Sequence, residues 1–308
     1  MRSWFLILFF LIPINSYSEP KLFSSDWPVW GLTEGMHKSG LLNKFDYRIE
    51  KYDTCLKWFE AGNVDITFMT LYDFISIQPT KDPTVIIGIT DYSNGGDKLI
   101  VKKTIKTAMD LKDKQILLPS RTISLWLLNN YLKKNDLNIH DVDIRDQNEN
   151  LGPLQFNESS NYQAVVGWNP IINKALTNKS YIAATSADFP EAIYDLVVAK
   201  KSFVDNNPQL VENFLSDYYN SINSEYIISQ SAQSFSVSTD EYKSWLKDAF
   251  IYPTRAIASK QYKKLFDTSE EIITFLTKPP KSLKNTKTES MFRQRDIDMQ
   301  SLIYFNGS

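Results

Sequence analysis

The chain has 308 residues, with 34 Lys and Arg against 36 Asp and Glu, a formal net charge of −2 and 43% hydrophobic residues. A chain this close to neutrality lacks the basic surface that nucleic-acid binding requires, so no nucleic-acid partner is expected. One cysteine and two histidines are too few for a cysteine-rich zinc site or an iron–sulfur cluster, and no metal or cofactor is expected. The length favours two lobes over a single core.

Motifs for catalysis are missing from the sequence. There is no G-x-S-x-G nucleophile elbow, no G-x-x-x-x-G-K-[ST] phosphate loop and no G-x-G-x-x-G fingerprint. A serine triad would have to use His37 or His140, and Cys55 is the single thiol. These absences favour a binding protein over an enzyme, so no catalytic residue is predicted.

The N-terminus has the pattern of a secretory signal peptide. Arg2 precedes an apolar run over residues 4–14, and Ser16 and Ser18 occupy the small positions before a cleavage site at Glu19. The pattern predicts a signal peptide over residues 1–18, the alternative being an N-terminal membrane anchor. An exported protein without a cysteine pair fits a bacterial periplasm, and a soluble monomer is expected.

The first half of the mature chain alternates strands with helices. Strands are predicted at 21–25, 47–52, 65–70 and 84–90, and the segments between them have helical spacing. Alternation of this kind indicates βαβ units and a mostly parallel sheet.

A second α/β set follows and then a helical tail. The predicted strands are 98–103, 115–120, 162–168, 181–186 and 194–200, with an amphipathic helix at 123–135 and helices after residue 202. The chain is therefore predicted to form two α/β lobes with doubly wound sheets joined by two crossing strands. Residues 19–97 and 201–308 are assigned to the first lobe and residues 98–200 to the second, and a small ligand is expected in the cleft between them.

Candidate ligand-binding residues occur where the predicted strands end. Asp26, Trp27 and Trp30 follow the first strand, where aromatic rings and a carboxylate would form a wall for a polar ligand. The alternative is a helix entry, with Asp26 as an N-cap. The Asp91–Asp97 segment contains Gly95-Gly96 and precedes a crossing, and the alternative there is an ordinary turn.

The second lobe adds hydroxyls at a helix start and one further tryptophan. Ser120 and Ser124 flank the start of the helix at 123–135, where hydroxyls and free N–H groups either bind a ligand or only cap the helix. Trp168 ends a strand, and Glu191 lies beside the second crossing. The full set of candidate binding residues is Asp26, Trp27, Trp30, Thr70, Asp91, Tyr92, Ser93, Asp97, Ser120, Ser124, Trp168 and Glu191.

Several motifs in this order resemble a known family. They are D-W-P-x-W-G (26–31), A-G-x-V-D (61–65), D-Y-S-N-G-G-D (91–97), D-L-K-D-K (110–114) and V-V-G-W-N-P (165–170). Over residues 21–225 the chain resembles the periplasmic substrate-binding proteins of bacterial ABC importers, of the nitrate/sulfonate/taurine type and related to NMT1-like proteins. The resemblance implies a type II periplasmic-binding-protein fold, no enzymatic activity, and delivery of one small solute to an inner-membrane ABC permease with its ATPase.

Two segments resemble one branch of that family more specifically. D-Y-S-N-G-G-D (91–97) and P-E-A-I-Y-D (190–195) are similar to segments of the branch encoded beside urea or guanidine carboxylases, although the second lacks the branch's glycine. The resemblance implies a compact ligand rich in N–H donors, such as urea or guanidine. Asp26, Asp97 and Glu191 would accept hydrogen bonds, and the rings of the three candidate tryptophans would stack on the ligand.

Three other functions are considered. The ligand would instead be a sulfonate such as taurine, or a pyrimidine precursor of thiamine. A pyrimidine synthase of the same fold is the enzyme alternative. Enzymes of that kind rely on a cysteine-rich motif and a reactive histidine, and one cysteine and two histidines do not match this requirement. A sensor lobe would need a fused signalling or transmembrane domain.

Overall fold

The computed structural model describes residues 18–78, 80, 82–284, 286–294 and 296–304. The predicted signal peptide lies outside these residues except for Ser18, and it stays a prediction. Within the described ranges, no helix is long and apolar enough to cross a membrane.

The strands of the described residues form two mixed sheets. One sheet has six strands in the order β2-β1-β3-β10-β4-β11, and the other has five in the order β7-β6-β8-β5-β9. The strands are β1 (Lys21–Ser24), β2 (Asp46–Ile49), β3 (Ile66–Thr70), β4 (Thr84–Ser93), β5 (Asp97–Lys102), β6 (Gln115–Leu118), β7 (Asp143–Asp146), β8 (Tyr162–Trp168), β9 (Ser180–Thr185), β10 (Tyr194–Lys200) and β11 (Ala249–Ile251).

Helices connect the strands and complete the chain. They are α1 (Leu32–Lys38), α2 (Tyr52–Glu60), α3 (Leu71–Ile77), α4 (Ile123–Lys134), α5 (Gly152–Glu158), α6 (Lys201–Asn206), α7 (Pro208–Ser221), α8 (Glu225–Ser234), α9 (Thr239–Leu246), α10 (Arg255–Ser259) and α11 (Tyr262–Phe275). The predicted α/β class with two sheets is confirmed by this architecture.

The six-stranded sheet places one strand of opposite direction at its centre. β1 runs parallel to β2 and β3, whereas β10 runs antiparallel between β3 and β4. The first residues of β10 therefore lie at the carboxyl edge of β3. β3 and nearly all of β10 are buried, as expected for strands that are covered on both faces.

Two short segments connect the sheets. Residues 94–96 lead from β4 into β5, and residues 186–193 lead back from β9 to β10. The second lobe was predicted to comprise residues 98–200, but Tyr194–Lys200 pairs with β3 and β4 of the first sheet. The predicted boundary is wrong here because strand pairing decides which sheet a strand joins, and periodicity along the chain does not reveal pairing.

The residues after α11 contact both lobes. The Ile144 N–H at the start of β7 donates to Ser282 Oγ at 3.0 Å. Further on, the Ile86 N–H donates to the Leu302 carbonyl at 2.7 Å, and the Tyr304 N–H donates to the Ile86 carbonyl at 2.9 Å. This segment therefore contacts β7 of the second lobe as well as β4 of the first, so it does not belong to the first lobe alone.

Some elements differ from the sequence prediction for physical reasons. The strand predicted at 47–52 is confined to Asp46–Ile49, because α2 already begins at Tyr52. Neither β7 nor β11 was predicted. Both are edge strands of three or four residues, and such short, partly exposed strands have little hydrophobic alternation.

Candidate functional site

A cavity lies between the two sheets, where residues from both lobes meet. Its unfilled space is about 330 Å³, including its opening to solvent. We call it the inner cavity, and its lining residues are Ser25, Trp27, Trp30, Tyr52, Thr70, Asp97, Ile123, Trp168, Ile193 and Asp195. Residues that follow β1, β3 and β8 meet here because the carboxyl edges of the two sheets face each other across the cleft.

Aromatic rings form one wall of the inner cavity. Trp30 lies between Trp27 and Tyr52, with ring centroids 6.4 Å and 5.3 Å away. Tyr52 of the first lobe meets Trp168 of the second edge to face, with centroids 6.0 Å apart and an interplanar angle of 83°. The cleft is therefore closed by a contact between aromatic rings of the two lobes.

An outer cavity adjoins the inner one. It encloses about 1180 Å³ including its open mouth, and it shares Tyr52 and Trp168 with the inner cavity. Its charged lining residues have both signs: Asp53, Lys57, Glu60, Arg121, Asp146, Glu149 and Lys287. The Tyr52–Trp168 contact thus separates a mixed-charge outer cavity from the inner one.

The charged lining residues of the inner cavity are both acidic. Asp97 begins β5 and Asp195 is the second residue of β10, and they are 4% and 2% exposed. Asp195 lies opposite Asp91 across the antiparallel pair of β10 and β4, and opposite Thr70 on the β3 side. No lysine or arginine lines this cavity among the described residues.

Asp91 lies directly behind the lining and holds it in place. Its Oδ2 accepts a hydrogen bond from Trp27 Nε1 at 3.3 Å, and its Oδ1 accepts one from Thr90 Oγ1 at 2.6 Å. The negative charge of Asp91 also acts on Asp195, which lies opposite it on the paired strand. Two buried carboxylates this close repel each other, which favours a proton on one of them.

A fourth carboxyl group orients two of the lining residues. Tyr52 Oη donates to Asp73 Oδ2 at 2.6 Å, and Thr70 Oγ1 donates to the same oxygen at 2.7 Å. The Thr70 N–H in turn donates to Tyr52 Oη at 3.0 Å. Because Thr70 also caps α3 by accepting from the Asp73 N–H, the end of β3 and the start of α3 form one rigid corner. We call Asp73, Asp91, Asp97 and Asp195 the carboxylate cluster.

Burial makes the charged form of this cluster unfavourable. It raises the pKa of Asp73 and of Asp97 to about 7 each, and that of Asp91 to about 6, against hydrogen bonds that lower them. The pKa of Asp195 is raised well above its usual value, first by burial and then by the negative charge of Asp91. Near neutral pH, ionisation of these four carboxyl groups is therefore not balanced by nearby positive charge.

Two buried polar atoms of the lining lack a hydrogen-bond partner within the described chain. They are Ser25 Oγ and Trp30 Nε1, on residues that are 1% and 3% exposed. Buried polar groups are nearly always paired, so unpaired groups around a cavity indicate a site that a ligand or water completes.

The structure brings five of the sequence-predicted residues together at the inner cavity: Trp27, Trp30, Thr70, Asp97 and Trp168. Asp91 supports them from behind through Trp27. Asp26 does not line the cavity, and burial raises the pKa of its carboxyl group.

The remaining predicted residues lie outside the lining of the inner cavity. Tyr92 stacks on Phe250 with ring centroids 5.0 Å apart. Ser93 Oγ lies 2.8 Å from Ser186 Oγ, where the crossing segments meet. Ser120 Oγ donates to Asp146 at 2.6 Å, whereas Ser124 Oγ is buried in the first turn of α4 and has no hydrogen-bond partner among the described residues.

Glu191 lies outside the lining of the inner cavity. Its Oε2 accepts from Lys264 Nζ of α11 at 2.7 Å, so its carboxylate is already paired. Asp195, four residues further along the chain, lines the inner cavity instead.

Sequence reasoning missed Tyr52, Asp73 and Asp195 as site residues. Both aspartates interrupt otherwise apolar segments, L-Y-D-F-I-S-I and Y-D-L-V-V-A-K. A carboxylate inside a buried run is costly unless it is paired or functional, and that signal marks both positions. Tyr52 had no such signal, because its role depends on the contact with Trp168 across the cleft.

Among the described residues that line the inner cavity there is no cysteine or histidine. Cys55 is buried, and its thiol donates to the Ser24 carbonyl at 3.3 Å, while His37 and His140 are exposed. Burial raises the pKa of the Cys55 thiol to about 12. Within the described residues, no group of three or more His, Cys, Asp or Glu side chains is placed to hold a metal ion.

Known structures share this architecture. The alkanesulfonate-binding protein SsuA from Xanthomonas axonopodis pv. citri, bound to MOPS, is 10% identical with a TM-score of 0.71, over 93% of this chain and 98% of its own. The periplasmic aliphatic sulphonate binding protein SsuA from Escherichia coli is 16% identical with a TM-score of 0.64, over 90% and 100%. The desulfurization enzyme DSZB is 14% identical with a TM-score of 0.59, over 88% and 97%.

By sequence, only the central part of the chain matches a known family. The NMT1/THI5 like family model matches residues 84–226, which include β4, the whole second sheet and β10. No curated protein matches the chain. The chain therefore has the periplasmic-binding-protein fold, and its central part is similar to the NMT1/THI5 like family.

Proposed function

We propose that this protein is a periplasmic solute-binding protein that captures a small, positively charged or N–H-rich solute and delivers it to an ABC permease. Urea and guanidine are the compounds of first choice, as the motifs at 91–97 and 190–195 suggest. The observation that carries the proposal is the inner cavity, which combines two lining carboxyl groups with three tryptophans and has no cation among its described lining residues.

The chemistry of the cavity favours donors over anions. A guanidinium ion or a urea molecule presents several N–H groups in one plane, which carboxylates accept and aromatic faces cover. A sulfonate would place a negative charge in a buried cavity whose described lining residues include no lysine or arginine, which is unfavourable. The SsuA structures support solute binding as the function, whereas the lining here supports a different ligand.

Enzymatic activity has less support in the residues. The structural match to DSZB means that the fold also carries enzymes. The lining of the inner cavity has neither a thiol nor an imidazole, which are the usual nucleophile and base. Binding and release by relative motion of two lobes needs neither.

A thermal-shift and calorimetric screen tests the proposal. Residues 19–308 are titrated with millimolar guanidinium chloride, urea, taurine, an alkanesulfonate and a pyrimidine precursor of thiamine. A ligand at about 100 times its Kd stabilises the protein by roughly 2.7 kcal/mol, which raises the Tm by several degrees. We expect this with guanidinium or urea and not with the sulfonates.

A pair of variants locates the binding. Asp97→Asn removes a lining carboxylate, and we expect a loss of about 10- to 100-fold in affinity, because a hydrogen bond to a charged group contributes about 1.5–3 kcal/mol. Asp65→Asn is the matched control, since Asp65 pairs with Lys200 at 3.0 Å at the opposite end of β10. Binding of sulfonates alone would refute the proposed ligand class, and equal losses in both variants would refute the site.

A further inference from the structure

The carboxylate cluster has more acidic groups than a single cation can neutralise. Two of these groups are arranged so that a bound proton can be replaced by a positively charged ligand. Asp91 and Asp195 lie opposite each other on paired strands, and the negative charge of Asp91 acts on Asp195. Two like charges directly opposite in a sheet repel each other, so this pair holds a proton while the cavity is empty.

Every element packed around Asp195 presents acidic or neutral groups to it. α3 contributes Asp73, β5 contributes Asp97, and Tyr52 of α2 and Tyr218 of α7 also lie within electrostatic reach. The tyrosine hydroxyls are neutral near pH 7, because burial raises the pKa of each.

Two cations act on other members of the cluster, Lys98 on Asp97 and Arg121 on Asp73. Lys98 acts on Asp97, while its own Nζ donates to Asn169 Oδ1 at 2.8 Å and Asn173 Oδ1 at 2.9 Å. Arg121 is exposed in the outer cavity and acts on Asp73. Asp248 adds a further negative charge beside Asp97.

We propose that the Asp91–Asp195 pair selects for cations by exchange: a positively charged ligand enters the inner cavity and displaces the proton that the pair holds when the cavity is empty. This inference rests on the proposed function. In the exchange, the O–H bond of Asp195 breaks and the proton passes to solvent. The charge of the ligand then balances the carboxylate, and the unpaired Ser25 Oγ can accept a hydrogen bond from an N–H of the ligand.

Guanidinium and urea provide a matched pair of probes, because they have nearly the same shape and differ by one charge. Isothermal titration with guanidinium chloride at pH 7 in two buffers of different ionisation enthalpy measures the protons released. We expect about one proton per guanidinium and none per urea. Guanidinium affinity falls about tenfold per pH unit as the pH drops below the raised pKa of the pair, and urea affinity does not.

Asp195→Asn replaces the titrating carboxyl group by a neutral amide of nearly the same shape. We expect this variant to release about one proton fewer per guanidinium than the wild type, whereas Asp65→Asn releases the same number as the wild type. Guanidinium binding without proton release and with a constant Kd between pH 5 and 8 would overturn the exchange and leave the proposed function standing. Failure of both probes to bind the wild-type protein would overturn the proposed function and this inference together.

Discussion

Replacing Asp97 by asparagine should make the empty protein more stable at neutral pH, although it weakens binding. Asp97 is 4% exposed and faces the cavity, where burial raises its pKa from 3.8 to about 7. The folded state therefore binds a proton more readily than the unfolded state, and stability falls as the pH rises from about 4 to about 7. Asparagine is neutral throughout this range and does not have this pH dependence.

The magnitude follows from the shift. About three pKa units at about 1.4 kcal/mol each amount to about 4 kcal/mol of destabilisation above pH 7. The variant gives up part of the hydrogen bond with the Ser93 hydroxyl, which contributes about 1 kcal/mol. A net gain of about 3 kcal/mol at pH 8 remains.

Thermal unfolding by calorimetry at pH 5 and pH 8 measures this gain. Chemical denaturation is unsuitable, because urea and guanidinium are the proposed ligands. At roughly 2–4 °C per kcal/mol, we expect the Tm of the variant to exceed that of the wild type by about 6–12 °C at pH 8, and by much less at pH 5. Asp65→Asn breaks the ion pair with Lys200 and should be less stable at both pH values. A gap that is the same at both pH values would refute the argument from burial.

Three further substitutions test other parts of the site. Trp168→Ala removes the ring that meets Tyr52 across the cleft, and because such pairs contribute about 0.5–1.5 kcal/mol, we expect ligand dissociation to be about 2- to 10-fold faster in stopped-flow experiments. Gly96→Ala places a methyl group against the ring of Trp27, so calorimetry should show a loss of about 1–3 kcal/mol, together with weaker binding. Ser120→Ala breaks hydrogen bonds to Asp146 and to the C-terminal segment, and hydrogen exchange at 281–304 should become faster while the Kd for urea changes less than threefold.

Effects on stability and affinity arise from a different part of the site than effects on the rate of ligand release. The carboxylate cluster is attached to strands of the two sheets and to α3, whereas the contact that closes the cavity is a pair of side chains from opposite lobes. Substitutions in the cluster change charge balance and therefore stability and affinity. Substitutions at the closing contact change how long the lobes remain together and therefore the rate of release.

The order of the elements could be predicted from the sequence, because local periodicity determines it. β8 and β10 have the predicted bounds 162–168 and 194–200, and α3 lies in a segment between two predicted strands where helical spacing was found. Each of these segments is a short apolar run with clear ends. Trp27 and Asp97 were also identified, since residues that follow or begin strands at a sheet edge reach a cleft wherever the strands pair.

The partners of each side chain were decided by the tertiary structure alone. Asp195 meets Asp91 and Tyr52 meets Trp168 only after strands and helices more than one hundred residues apart have packed, and nothing in the local sequence records that register. Glu191 precedes Asp195 by four residues, yet its carboxylate pairs with Lys264 on α11 instead of lining the cavity. The sequence by itself determined most of the segments that form strands and helices, the short edge strands β7 and β11 excepted, and the residue types at their ends. The packing of the two lobes decided which of those residues share one cavity, because charge, burial and hydrogen bonding are properties of neighbours in space.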